Sequence, residues 1–390
     1  MTQESARPVR KTLRVGVVGA GAWTTAAYIP AFHACDGVVV VALCEIDRDR
    51  GDRTAREAGI PSVYPTLEAM LATEQLDMVA IATPTATHAS MAIPCLSAGL
   101  HVLCEKPLAY SVTEARAMAE AARTTPTQTK VGFTMRYAPA VRRLRELVAD
   151  NALGKPYLIQ LFLQNGQFLD PSKPRHWKMT RRYAGAGAAA EYGIHGLDLA
   201  RWLFGEVSRV CATGRTFVSE RPAPASNEFL PVDVEDSCCW LMEFASGALA
   251  ICHAGWSVVG SAPGLEIRAY GSRAAAQVIL SEELPGSEVL RVADPSTPNF
   301  TPVEVPTRLA TPIPPPETWR RRFHQNLVSH FIDEIRRRRP EGPDFEDGLR
   351  AQELLEAVVR SMAEDRWVSV CGGNDNSGSN AACMQPENIR

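Results

Sequence analysis

Three short stretches hold side chains whose types and order could act together on one bond. Glu105-Lys106-Pro107 offers an ammonium able to donate to a substrate oxygen and steady a developing alkoxide, on a loop that the proline stiffens. Glu191, His195 and Asp198 fall at i, i+4 and i+7, which on a helix turning about 100° per residue places all three on one stripe. A neutral imidazole suits the removal of a hydroxyl proton near pH 7. On this reading Glu191 holds or polarises the His195 ring, and Asp198 bonds a neighbouring hydroxyl of the substrate. Upstream, Gly19-Ala20-Gly21-Ala22-Trp23-Thr24 follows an apolar run, where backbone amides and a helix N-terminus can receive a pyrophosphate. Singly, each stretch has an ordinary structural explanation. Together they describe the loss of a hydride and a proton from a carbinol, which is dehydrogenase chemistry.

Such groups need elements to hold them. Leu13 to Val18, Val38 to Leu43, Met78 to Ala82, His101 to Cys104 and Lys130 to Phe133 read as buried strands, their near-continuous hydrophobicity suiting a parallel sheet covered on both faces. Between them Thr25 to His33, Asp49 to Ala58, Thr66 to Ala72, Thr87 to Ala98 and Ser111 to Arg123 read as helices, the last with Ser111 as its cap. The expected unit is a doubly wound α/β, Rossmann-type domain over residues 12–135.

After a helix around Ala140 to Asp150 the pattern changes. Pro156 to Leu163, Arg209 to Val218, Ser237 to Phe244, Ala248 to Ser257 and Leu265 to Tyr270 read as strands, with a hairpin around Ala245-Ser246-Gly247. A second α/β domain, mainly antiparallel with one helix face, is expected over 136–370. Pro302 to Pro316 reads as extended, and Arg322 to Arg338 and Asp347 to Asp365 as helices. The Gly-, Asn- and Ser-rich stretch 371–390 reads as a disordered tail.

Composition narrows the partners. The chain has 390 residues and a net charge of -3, so it presents no basic surface to draw nucleic acid and no polybasic arm for lipid. No apolar h-region and no stretch of spanning length is present, so a cytoplasmic protein is expected. The ten cysteines show no C-x-x-C spacing, which speaks against a metal site, and read as small buried hydrophobes in a reducing compartment. Cys238 and Cys239 should face opposite sides of a strand.

At the end of the second strand Glu45 could accept from a ribose 2′-hydroxyl and would repel a 2′-phosphate, which favours NAD. Arg48 and Arg50 leave NADP open, and Asp47 is a rival for the ribose, or a helix cap. Small residues from Gly185 to Ala190 would let a large ligand approach the start of the His195 helix.

Thr83-Pro84 with His88, Glu105-Lys106-Pro107, Arg136-Tyr137 with Pro139, and Gly193-Ile194-His195 with Asp198 and Leu203-Phe204-Gly205 together resemble the Gfo/Idh/MocA oxidoreductase family, over about Leu13 to Val370. The resemblance implies a Rossmann domain, a C-terminal α/β domain whose large sheet often forms an oligomer interface, and NAD(P)-dependent chemistry at a secondary hydroxyl of a sugar, cyclitol or sugar nucleotide. It gives Lys106 the lysine role and His195 the acid/base role. Ala22, Trp23, Thr83, Pro84, His88, Glu105 and Arg136 would line the cofactor and Tyr137 the substrate, while Trp177 resembles a tryptophan closing over the nicotinamide end. Two departures stand out: Glu191 occupies a position where the family often has Asp, and a triple-glycine run is Gly185-Ala186-Gly187.

The expectation is an NAD-dependent dehydrogenase that interconverts a ring hydroxyl and a ketone on a sugar, cyclitol or aminoglycoside-type substrate, as a homodimer or homotetramer. The alternative is a non-catalytic NAD-binding sensor or scaffold of the same fold. The acidic pair Glu191 and Asp198 would suit a hydroxylated or amine-bearing ring.

Overall fold

A computed structural model describes residues 12–370, apart from 225, 227, 261–263, 282–287 and 310–318. Six parallel strands form the first sheet in the order β3-β2-β1-β4-β5-β6: β1 (Leu13–Val18), β2 (Val38–Cys44), β3 (Ser62–Tyr64), β4 (Met78–Ile81), β5 (His101–Cys104) and β6 (Thr129–Val131). Every residue of β4 is buried, as expected of a strand covered on both faces. The crossovers include α1 (Ile29–His33), α2 (Arg48–Ala58), α3 (Leu67–Thr73), α4 (His88–Ser97) and α5 (Val112–Arg123). Local chemistry sets their starts. Asp47 accepts from the Arg50 amide, Thr66 from that of Ala69 and Ser111 from that of Glu114. Asp47 therefore acts as the cap of α2.

The second sheet has nine strands, in the order β16-β15-β14-β13-β7-β12-β11-β8-β17. These are β7 (Pro156–Gln164), β8 (Val207–Arg215), β11 (Ser237–Phe244), β12 (Leu249–Gly255), β13 (Leu265–Gly271), β14 (Ala275–Leu280), β15 (Glu288–Asp294), β16 (Thr297–Val303) and β17 (Val368–Ser369), with β9 (Glu220–Pro222) and β10 (Phe229–Pro231) forming a separate ribbon. All its pairings are antiparallel except that of β7 with β12. The strands after Tyr270 were not expected from the sequence. Cys238 is buried and Cys239 exposed, as the alternation required. Of the stretch expected to be extended, Pro302 and Val303 end β16, Thr307–Leu309 form a 3₁₀ turn instead, and 310–316, like the expected tail 371–390, lie outside the described residues.

Helices α6 (Pro139–Ala149), α7 (Arg181–Ala184), α8 (Ile194–Phe204), α9 (Trp319–Arg337) and α10 (Phe345–Glu364) complete the chain. Helix α9 packs mainly against the first sheet's helices, and its Arg322 also reaches Glu288 of β15 at 3.2 Å. Its Leu327, Val328, Phe331, Ile332 and Ile335 are buried in one cluster with Val15, Val17, Phe32 and Leu43. Lys130 of β6, fully buried, meets both carboxylate oxygens of Glu334 on α9 at 2.7 Å. Breaking such a pair from one side costs about 3–5 kcal/mol, so α9 is held in register beside the cofactor end of the first sheet.

Candidate active site

The C-terminal ends of the first sheet converge on the glycine turn. Gly19 adopts φ +91°, and a Cβ there would stand 2.8 Å from the Ala82 carbonyl, so the tight turn admits little but glycine. Gly21 differs: a Cβ there would meet only that carbonyl, at 3.9 Å, so no neighbouring atom of the protein demands glycine. The open space beside an exposed amide suits a phosphate approaching closely. Exposed Ala22 follows, then Trp23, stacked on His324 of α9 at 5.0 Å between centroids. Thr24 is buried, and the helix opens there as a π turn over Thr24–Tyr28 before tightening into α1. Half-buried Thr83 and exposed Pro84 lie beside this turn, Thr83 Cγ2 standing 3.0 Å from a Cβ placed on Gly19.

Glu45 is buried and well occupied. Oε2 accepts from the Ala20 amide at 2.7 Å, and Oε1 from the Asp47 amide and the Arg50 guanidinium. Burial opposes its ionisation, but Arg50 and the two amides prevail and hold the carboxyl below its ordinary range. Its first task is to brace the glycine turn. Arg50 gives one guanidinium nitrogen, Nη2, to Glu45, and its side chain is 43% exposed.

Glu105 and Lys106 follow β5. Glu105 is buried and takes the Tyr28 hydroxyl, with His324 Nε2 3.7 Å away. Against the penalty of burial, His324 and the Lys106 ammonium hold its carboxyl down to about 2. It thus ties the first helix, α9 and the lysine loop together. Lys106 Nζ donates to the Glu191 carbonyl at 2.9 Å and to Glu191 Oε2 at 3.1 Å. An ammonium has three donors, so one is left for a ligand.

Ahead of α8 the chain makes a π turn over Ala189–Gly193, and this changes the expected stripe. Glu191 lies in the π turn, and it bonds Lys106 and Lys178 rather than His195. It therefore does not orient the imidazole. His195 Nδ1 is buried and has no hydrogen-bond partner among the described residues, while the ring sits edge-on to Phe133 at 6.1 Å. Burial, reinforced by the Lys106 ammonium, pushes the imidazole down to about 3, so it is neutral at physiological pH.

Asp198 also departs from expectation. Its Oδ2 takes Arg136 Nε at 2.8 Å, its Oδ1 takes Arg136 Nη2, and the carboxylate is 2% exposed. It is consumed by this pair and is unavailable to a substrate. Arg136, expected at the cofactor, is itself buried and shared between Asp198 and Asp347. Tyr137, expected at the substrate, is buried and donates to the Gly342 carbonyl at 2.9 Å, anchoring the chain before α10. His88, expected to line the cofactor, is buried between the Pro107 and Thr83 carbonyls, each 3.0 Å from a ring nitrogen, and braces the lysine loop. Asp198, Arg136, Tyr137 and His88 were recognisable as special from their types, but contacts 5 to 211 positions apart decide what they touch.

The small residues near Gly185 also have a different cause. A Cβ on Gly187 would come within 2.1 Å of the Glu235 carbonyl, so the glycine admits this neighbouring backbone and not a ligand. Glu235, which the sequence did not single out, accepts the Gly187 and Ala189 amides and so fixes the start of the π turn. One pocket brings together Trp23, Glu105, Lys106, Glu191, His195 and His324, with Thr134, Asn165 and Tyr192 also on its wall. His324, Asn165 and Tyr192 were missed, having no motif to mark them. Trp177, half-buried in a 3₁₀ turn over Trp177–Met179, is placed near the pocket through its neighbour Lys178.

A strand-turn-helix cradle with a lysine and a neutral imidazole on one wall defines an oxidoreductase that binds a dinucleotide. Residues 13–133 match the description "Oxidoreductase family, NAD-binding Rossmann fold", and 145–370 match "Oxidoreductase family, C-terminal alpha/beta domain". The chain belongs to the Gfo/Idh/MocA oxidoreductase family. A levoglucosan dehydrogenase of Pseudarthrobacter phenanthrenivorans is 27% identical over 396 residues, covering 92% of this chain and 98% of that protein. The myo-inositol 2-dehydrogenase of Thermotoga maritima is 27% identical over 240 residues, 61% of this chain and 67% of its own. Among solved structures, an oxidoreductase domain protein from Kribbella flavida has a TM-score of 0.84 at 29% identity, covering 93% of this chain and all of its own. A levoglucosan dehydrogenase in complex with NADH and levoglucosan has the same TM-score at 26% identity, covering 93% of this chain and 100% of its own.

The charge pattern has a consequence for pH. The native His195 binds its proton only near pH 3, whereas an unfolded histidine does so near 6.5, so the unfolded state takes up more protons as the pH falls below 6.5. His195 therefore contributes a loss of stability between pH 6.5 and 3, and the low native values of Glu105 and Glu191 contribute a further loss below about 4.5. Between pH 7 and 5 the His195 contribution is roughly 2 kcal/mol. Thermal melts should show a shallower acid decline over that interval for His195→Asn than for the native protein; equal slopes would mean the native imidazole is not depressed.

Proposed function

We propose that this protein is an NAD-dependent dehydrogenase that oxidises a secondary ring hydroxyl of a sugar or cyclitol to a ketone, or runs the reverse. The observation that carries the reading is the convergence of Lys106 and His195 on one pocket wall, with the imidazole kept neutral. NAD, when bound, supplies the hydride acceptor. Gly19, Gly21, Ala22, Trp23, Thr83 and Pro84 would hold it, the open side of Gly21 leaving room for a pyrophosphate.

Lys106 donates its remaining N–H to the substrate hydroxyl and lowers that hydroxyl's pKa, while His195 accepts the proton. The lysine has two opposed effects: it acidifies the hydroxyl and depresses the imidazole, so transfer depends on alkoxide stabilisation more than on a strong base. Glu191 acts on the lysine rather than the histidine. A neutral polyol fits this site better than an amine-bearing ring, because Asp198 is closed by Arg136 and Glu191 is already shared by two ammonium groups. NAD is favoured over NADP because the Glu45 carboxylate stands at the end of β2, where a ribose 2′-hydroxyl would lie, and one nitrogen of Arg50 is turned into it.

The test is NADH formation with NAD and a panel of cyclic polyols, aminoglycosides included. Turnover is expected with a neutral ring and NAD, with a lower kcat/KM for NADP, whose 2′-phosphate would meet the Glu45 carboxylate. His195→Ala should lower kcat about 100- to 10,000-fold with NAD affinity unchanged. Intact NAD binding without turnover across the panel would favour the sensor, and undiminished activity of the variant would remove the imidazole from the chemistry.

The oligomer expected from the sequence has support in the second sheet. Leu241, Leu249 and Ile251 are 46%, 50% and 40% exposed on its face away from the helices, where Leu241 is paired across strands with Ile251. We propose that this face joins copies of the chain. Light scattering after gel filtration should give a dimer or tetramer that dissociates on Leu241→Lys with Ile251→Glu; a monomeric native protein would contradict it.

A further inference from the structure

We propose that Lys178 is a positioning residue for the reaction: it fixes the Glu191 carboxylate so that Lys106 is aimed at the substrate hydroxyl. The proposal rests on the dehydrogenase reading above and adds a residue to it.

Glu191 carries one negative charge between two ammonium groups. Oε1 takes Lys178 Nζ at 2.6 Å and Oε2 takes Lys106 Nζ at 3.1 Å. The side chains of all three are largely buried, at 18%, 12% and 9% exposed for Lys178, Glu191 and Lys106. The shorter contact goes to Lys178, and this asymmetry matters. A carboxylate held by Lys106 alone would be free to rotate about its last torsion and could chelate the ammonium, capturing the donor that the substrate needs. With Oε1 pinned by Lys178, only Oε2 reaches Lys106, and the Glu191 carbonyl supplies the lysine's second acceptor at 2.9 Å.

The pinning group comes from a separate element. Lys178 lies in the 3₁₀ turn Trp177–Met179, whose first amide contact is the Lys178 N–H given to the His176 ring, and its ammonium stands 5.7 Å from the centre of the Trp177 ring. The loop between β7 and α7 thus reaches across to the π turn. Glutamate at 191 has the reach that this three-part contact uses; an aspartate is one methylene shorter.

Lys178→Met, Lys178→Arg, Glu191→Gln and the double variant Glu191→Gln with Lys178→Met should be compared with the native enzyme on its best substrate. Lys178→Met is expected to lower kcat about 10- to 100-fold, as a misplacement near 1 Å does. KM for the substrate and affinity for NADH by fluorescence should change less than about threefold, and Lys178→Arg should restore most of kcat, since its cation can still reach Oε1. In the Glu191→Gln background Lys178→Met should cost almost nothing further. Native kcat in Lys178→Met while His195→Ala is inactive would overturn this proposal and leave the dehydrogenase site standing. Additive losses in the double variant, or a loss confined to KM and NADH affinity, would also overturn it, because both describe a lysine that only anchors its loop. Retained turnover in His195→Ala and Lys106→Ala would instead defeat the reading on which it rests.

Discussion

The contact between Lys106 and Glu191 is the constraint around which the site is organised. One partner follows a parallel strand of the first sheet, the other sits in a π turn ahead of a helix that packs on the second, and their sequence separation is 85 residues. Bringing them within 3.1 Å requires both sheets in a fixed relation, and the buried Lys130–Glu334 pair and the apolar face of α9 maintain the neighbouring register. An unpaired ammonium at 9% exposure would be expensive, so the lysine and the glutamate hold each other in place.

Charge accounting explains the state of the remaining groups. The ammonium that pairs with Glu191 also depresses His195, which already pays for burial. Glu105, next to that lysine, is satisfied by Tyr28 and His324 and carries the coupling back to the glycine turn through Trp23 stacked on His324. The pocket therefore presents a neutral imidazole, a partly used ammonium and an aromatic wall rather than free carboxylates. That pattern suits polarisation of a hydroxyl.

Much of this was legible in the sequence, and the parts that were not share a cause. Strands β1, β2, β4 and β5 could be read from runs of buried apolar residues, and Ser111 from its capping chemistry, because these signals are local. Lys106, Glu191 and His195 were recognised by type and spacing and do meet in one pocket. The assumed regular helix failed at Ala189–Gly193, where Glu235 amide contacts and the close Gly187 approach accompany a π turn that redirects Glu191. Asp198, Arg136, Tyr137 and His88 satisfy distant partners that no spacing rule reveals. His324 and Lys178 carried no motif and entered through tertiary contact alone.

The central claim is that Lys106 and His195 address the same hydroxyl. A crystal structure with NADH and a bound cyclic polyol measures this directly. The account predicts one ring oxygen within about 3.2 Å of both Lys106 Nζ and a His195 ring nitrogen, with its carbon facing the nicotinamide. A ligand whose reacting carbon meets the nicotinamide while its hydroxyl contacts neither group would contradict it.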